Sequence, residues 1–135
     1  MKISTRARYG LKAMIDIALN EDKGTVSLNA IAERNGISEN YLEQLIASLK
    51  KGGFVKSTRG AGGGYKLNRA AEDITVCELL EVLEGPLNLV QCGDDGSCGS
   101  LNCKGCTAKG VWAKLSSSLK ETAEGITLKD LAADN

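Results

Sequence analysis

The chain has 135 residues, 42% of them apolar, which suits one domain or a small domain with an appendage. Aromatic residues make up only 4%, so the core must come mainly from Leu, Ile, Val and Ala; histidine is absent, which excludes His-based catalytic triads and His-containing metal sites. Lys+Arg and Asp+Glu number 17 each, but residues 1–69 carry twelve cations against six carboxylates and residues 70–135 carry five against eleven, a basic half (+6) suited to a polyanion joined to an acidic half (−6).

Residues 4–20 read as a helix, capped by Ser4 or Thr5, with Tyr9, Leu11, Ala13, Met14, Ile17 and Ala18 on its apolar face. After the polar break 20–24, Ser27 caps a short helix over 28–34. Asn35-Gly36 stops it, because glycine accepts the left-handed conformation beyond a helix end. Ser38 starts a third helix with the stripe Tyr41, Leu42, Leu45, Ile46 and Leu49. Lys50-Lys51-Gly52-Gly53 ends it, with cations at the negative end of the helix dipole.

Helix, short helix, glycine turn and helix is the spacing of a helix-turn-helix. A strand over 54–57, a turn over 59–64 and a returning strand over 65–67 add a wing. Thr75-x-x-Glu78 is a capping box opening a fourth helix, which Gly85-Pro86 terminates. A long helix over 107–124 carries Val111, Leu115 and Leu119 at helical spacing beside Trp112, and Thr127 caps a last short helix with Leu128 and Leu131. The fold class is mostly α with a small β wing: a winged helix-turn-helix plus a long C-terminal dimerisation helix. The division is residues 1–85 for DNA binding, 86–106 for a cysteine-rich loop, and 107–135 for dimerisation and tail. Two-fold operators call for a dimeric reader, so the long helix is expected to pair with a second copy.

A recognition helix sets its N-terminal residues against base edges, which here are Ser38, Glu39, Asn40, Tyr41, Glu43 and Gln44. Gln44 suits adenine. Glu43 can accept from cytosine N4 and repels phosphate elsewhere, sharpening choice more than affinity. Gly60, Gly62, Gly63 and Gly64 let the wing backbone approach a phosphate or a narrow groove, and Arg59 can enter the minor groove. Arg6, Arg8, Tyr9, Lys56 and Lys66 are candidate phosphate contacts that set register and salt dependence. The glycine tract lacks the Gly-Lys-Ser/Thr ending of a phosphate-binding loop.

Four of the five cysteines, Cys92, Cys98, Cys103 and Cys106, fall within fifteen residues of Gly, Ser, Asn, Asp and Lys, with Leu101 the only large apolar residue among them. Such a segment buries little apolar surface, and four thiols can order it by closing around a soft metal or cluster. No signal peptide is visible, because Arg6, Arg8 and Lys12 interrupt the first apolar run, and no apolar stretch approaches the ~20 residues of a spanning helix. The expectation is a cytoplasmic protein without a membrane partner, whose thiols stay reduced. Structural zinc or a thiol–disulfide sensor remains open on the cysteines alone. A disulfide oxidoreductase on Cys103-Lys-Gly-Cys106 lacks its βαβ context, so no enzymatic activity or small-molecule substrate is expected. Cys77 sits on an apolar helix face and reads as packing.

Tyr9-Gly-Leu-Lys-Ala-Met14, Ile37-Ser-x-x-Tyr41-Leu-Glu-Gln-Leu45, Arg59-Gly-x-Gly-Gly-Gly-Tyr65, the cysteine loop and the Trp112 helix resemble the iron–sulfur cluster regulators of the IscR type. The resemblance covers essentially the whole chain. It implies a homodimer that binds double-stranded DNA operators, holds a 2Fe–2S cluster and controls cluster-biogenesis genes. Cys92, Cys98 and Cys103 fall where the family's three cysteine ligands lie. The family commonly uses a histidine three residues after the third cysteine, and Cys106 stands there in this chain. All-thiolate ligation is the simplest inference. Other branches take the fourth ligand from the first helix of the partner subunit, which keeps Asp16 and Glu21 open.

Overall fold

The structure, a computed structural model, describes residues 2–60, 62–89 and 108–133. Six α-helices and one two-stranded sheet occupy these residues. Helix α1 (Thr5–Leu19) begins where the Ser4 hydroxyl accepts from the Ala7 N–H at 3.1 Å. It buries Ala7, Gly10, Ala13, Met14 and Ile17 and touches α2 (Leu28–Asn35), α3 (Glu39–Lys51), α4 (Val76–Leu83) and α6 (Leu128–Ala133). Ser27 and Ser38 cap α2 and α3 as expected, and Gly36 between them has φ 64°.

Helix α3 buries Leu42, Leu45, Ile46 and Leu49, which with Met14, Ile17, Ile31, Ile74 and Leu79 form the centre of one core. The wing strands are β1 (Val55–Thr58) and β2 (Gly64–Leu67), antiparallel, with Val55 opposite Leu67 and Lys56 opposite Lys66. β1 is shifted by one residue from the expected 54–57 and β2 starts one residue earlier than the expected 65–67; Phe54, ahead of β1, is buried and its carbonyl accepts from the Asn68 N–H at 2.9 Å. Val26, just before the α2 cap, exchanges backbone hydrogen bonds with Tyr65 at 2.8 Å each way and extends the wing by one bridge.

The α4 capping box is complete: the Glu78 N–H donates to the Thr75 hydroxyl, and the Glu78 carboxylate accepts from the Thr75 N–H at 3.1 Å. Helix α5 (Lys109–Glu124) starts at 109, and its C-terminal half packs on α4 through Leu119 and Ala123, beside Cys77 and Leu87. A second reciprocal cap, between Thr127 and Asp130, opens α6. Leu128 of α6 is fully buried in the same core as α1, so the chain returns to the winged-helix body after α5. No helix among the described residues is long and apolar enough to cross a membrane.

Candidate nucleic-acid interface

The apolar stripe of α3 turns inward, so the opposite side of the helix is left to solvent. Asn40, Glu43, Gln44 and Ala47 line an open depression there, at the spacing that puts them on one helical face. Ser38 and Glu39 stand at its start. The Ser38 hydroxyl accepts from the Tyr41 N–H at 3.2 Å, so it acts first as a cap. The Glu39 carboxylate accepts from the Asn29 amide at 2.6 Å, which turns it back toward α2. Tyr41 is half-buried, and its ring meets Tyr9 edge-on with centroids 6.3 Å apart. Lys12 Nζ lies 5.4 Å from the Tyr9 ring centre, a cation–π contact that holds a positive charge beside this pair.

Of the α1 cations, Arg8 is exposed and Arg6 donates to the Ser48 hydroxyl of α3. Arg6 is thereby held beside the recognition helix. Asn29, Ser48 and Thr25 were not legible as site residues. Each acts through one hydrogen bond to a group distant in sequence, for which no local pattern exists.

The wing is built more tightly than a flexible tip. The Thr25 hydroxyl donates to the Gly62 carbonyl at 2.6 Å, tying the turn to the segment before α2. Gly60 (φ 101°) and Gly62 (φ 79°) occupy the left-handed region. A Cβ at Gly63 would collide with the Thr58 carbonyl, and one at Gly64 with the Val26 carbonyl. The four glycines therefore have an intramolecular reason, the closure of this turn, before any approach to a ligand. Arg59 is exposed at the tip.

Lys56 and Lys66 face each other across the ladder, and like charges in that register repel. The ion pairs among the described residues use Arg34, Arg69, Lys120 and Lys129. Among the described residues, none of Arg6, Arg8, Lys56, Arg59 and Lys66 has a carboxylate partner. The cations expected at phosphates thus have no carboxylate partner among the described residues, in common with Lys2, Lys12, Lys23, Lys50, Lys51 and Lys114, whereas Arg34, Arg69, Lys120 and Lys129 are paired.

Cys92, Cys98, Cys103 and Cys106 lie outside the described residues. Of the carboxylates kept open as a fourth ligand, Asp16 is committed within its own subunit: it accepts from Arg34 at 2.6 and 2.9 Å and from Asn35 at 3.1 Å. The hydrogen bond to Asp16 holds the Arg34 pKa above its ordinary value. Glu21 is exposed in a short 3-10 turn after α1. Cys77 is buried; burial first, and the neighbouring Glu81 second, push its thiol pKa up and keep it neutral.

A family model described as "Rrf2: Iron-dependent Transcriptional regulator" matches residues 3–134. The HTH-type transcriptional regulator IscR of Aliivibrio salmonicida is 39% identical over 136 residues, covering 100% of this chain and 79% of that protein. The solved structure of CymR, titled the global cysteine regulator of B. subtilis, superposes with a TM-score of 0.83 at 40% identity, covering 100% of this chain and 98% of that one. IscR of T. potens gives a TM-score of 0.81 at 45% identity, covering 99% and 88%. The fold, with its helix-turn-helix and wing, is thus shared with known regulators over nearly the full length, and the chain belongs to the Rrf2 family of transcriptional regulators.

Proposed function

We propose that the chain works as a homodimer that reads a palindromic DNA operator and answers to the state of the thiols between Cys92 and Cys106. The observation that supports the DNA reading is an arrangement of side chains: Arg6, Arg8, Lys56, Arg59 and Lys66 of α1 and the wing have no carboxylate partner among the described residues, and the exposed face of α3 carries Asn40, Glu43 and Gln44. Phosphate contacts from Arg6, Arg8, Lys56 and Lys66 set the position of the protein on the duplex. Asn40, Glu43 and Gln44 discriminate bases in the major groove, and Arg59 reaches the minor groove.

The four thiols fit a soft metal centre, and with no histidine in the chain an iron–sulfur cluster, 2Fe–2S in the IscR-type reading, would be held by Cys92, Cys98, Cys103 and Cys106 as thiolates. A bound cluster supplies one-electron redox chemistry and an ordering constraint on the segment between α4 and α5. The genes under such control would be those of cluster biogenesis or related supply. A second reading, a zinc-bound or thiol-responsive regulator without a cluster, is favoured by the likeness to CymR, a protein named for cysteine regulation.

Anaerobic purification followed by visible absorption and iron, sulfide and zinc analysis separates the two. Iron and sulfide with a visible chromophore support the cluster. A colourless protein with stoichiometric zinc, or with no metal at all, supports the second reading. The DNA reading is tested by selecting duplexes with the purified protein. Gln44→Ala is expected to lose about 1–3 kcal/mol of discrimination at one base position, whereas Lys56→Ala weakens binding to all sequences and lowers the salt slope by about one.

A further inference from the structure

Asp16 is the one charged side chain buried among the described residues, with 8% of its surface exposed. Nothing in its helical position calls for a carboxylate; it sits next to Ile15 and Ile17 on a helix that packs into the core. Its two oxygens accept from four donor atoms. Arg34 Nη2 and Nε lie at 2.6 and 2.9 Å, Asn35 Nδ2 at 3.1 Å and Asn20 Nδ2 at 3.4 Å.

Arg34 and Asn35 are the last residues of α2, immediately before Gly36, whose left-handed backbone turns the chain into α3. The Asn35 amide is held at the same time by the Ile31 carbonyl at 2.9 Å, so the carboxylate grips the final turn of α2 rather than a loose side chain. Asn20, at the C-terminal end of α1, also donates to the Asp16 carbonyl at 2.7 Å. Replacing a buried charge pair by apolar groups of similar volume is often neutral or stabilising, and here the Arg34 side chain is 46% exposed, so stability alone gives weak grounds for this node. Its directional bonds define an orientation that Leu and Ile packing leaves free to slide.

We propose that Asp16 is a positioning residue for DNA reading. It locks the α2–turn–α3 unit against α1, so that the phosphate-contact cations Arg6 and Arg8 on α1 and the base-facing side chains Asn40, Glu43 and Gln44 on α3 stay in one register. The inference rests on the DNA-reading function proposed above. Loss of the node uncouples the two sets. Sequence-independent attraction to DNA survives because its cations are untouched. Discrimination falls because phosphate and base contacts no longer fit one duplex position together.

The test compares wild type with Asp16→Asn and with the double variant Asp16→Leu/Arg34→Met, which removes the node without orphaning a charge. Binding of a selected operator duplex and of a scrambled duplex is measured by fluorescence anisotropy over a range of salt, well below each variant's Tm. The expected result is a fall of about tenfold or more in the operator-to-scrambled affinity ratio for both variants. Affinity for scrambled DNA and the salt slope stay at the wild-type values. Operator preference at the wild-type level in a double variant with native circular dichroism would overturn the inference, as would a parallel loss on both duplexes. A wild-type protein with no preference for any duplex would instead sink the DNA-reading function itself, and this inference with it.

Discussion

At the scale of single residues, the sites that matter are those where a polar group meets more than one partner. Glu78 closes the α4 capping box and pairs with Arg69 at 3.3 Å. The backbone hydrogen bond from Thr75, ahead of the Arg69 charge, holds its carboxyl below the usual carboxylate range. The unfolded chain therefore binds this proton more readily than the folded one. The stabilisation is full above the ordinary carboxylate pKa and drains away as pH falls through the lowered folded value. Urea midpoints measured from about pH 6 down to about pH 3 should fall more steeply in wild type than in Glu78→Gln. Cys77 supplies a second expectation. A neutral thiol shut among Leu87, Leu119 and Ala123 should resist maleimide in the native protein and react only after unfolding, as site-resolved mass spectrometry would record. Its packing role was legible from its place on an apolar face. The commitment of Asp16 was not, since an aspartate flanked by isoleucines gives no hint of an arginine eighteen positions away.

At the scale of elements, caps were readable and helix contacts were not. Ser4, Ser27, Ser38 and Thr75 each cap the helix that follows, because the pairing of a short polar side chain with a free N–H is local. The close approach of α1 to α4 is different in kind. A Cβ at Gly10 would lie 2.5 Å from Leu83 Cδ1 of α4. Helix propensity alone gives Gly10→Ala a gain of about 1 kcal/mol. Overpacking against a buried leucine costs about 1–3 kcal/mol, and the packing effect should win. Chemical denaturation should show Gly10→Ala less stable than wild type, with part of the loss recovered in Gly10→Ala/Leu83→Val. The same contact region is tied by Ser4, whose N–H donates to the Glu84 carboxylate at 3.1 Å, so the start of α1 and the end of α4 move together.

At the scale of the whole molecule, α5 divides along its length. Its C-terminal half covers α4, but Val111, Trp112 and Leu115 keep 52, 38 and 48% of their surface exposed. One apolar face near the N-terminal end of a helix is what a second copy would bury, in line with the proposed homodimer. Leu115→Lys should shift the protein toward monomer in sedimentation equilibrium without loss of helical signal, because Leu115 is 48% exposed and belongs to neither core cluster among the described residues. A dimer unchanged by Leu115→Lys would move the dimer contact elsewhere. Beyond α5 the chain packs back on the body that carries α1. Leu128 is fully buried beside α1, and the Leu128 N–H donates to the Ile74 carbonyl at 2.8 Å, so α6 belongs with the winged-helix core.

What the amino-acid order determined by itself was everything governed by short range. Helix starts and stops follow from serine and threonine caps and from glycines that accept a left-handed turn. The helix-turn-helix with its wing follows from the spacing of those signals, and the exposed α3 face follows from the burial of its opposite stripe. The tertiary structure alone decided which distant groups share a hydrogen bond or a cavity. It assigned Asp16 to Arg34 and Asn35, closed the wing on Thr25 and Val26, and returned α6 to the core. Those outcomes depend on how packed helices bring remote residues within about 3 Å of one another, a distance that no local pattern along the chain encodes.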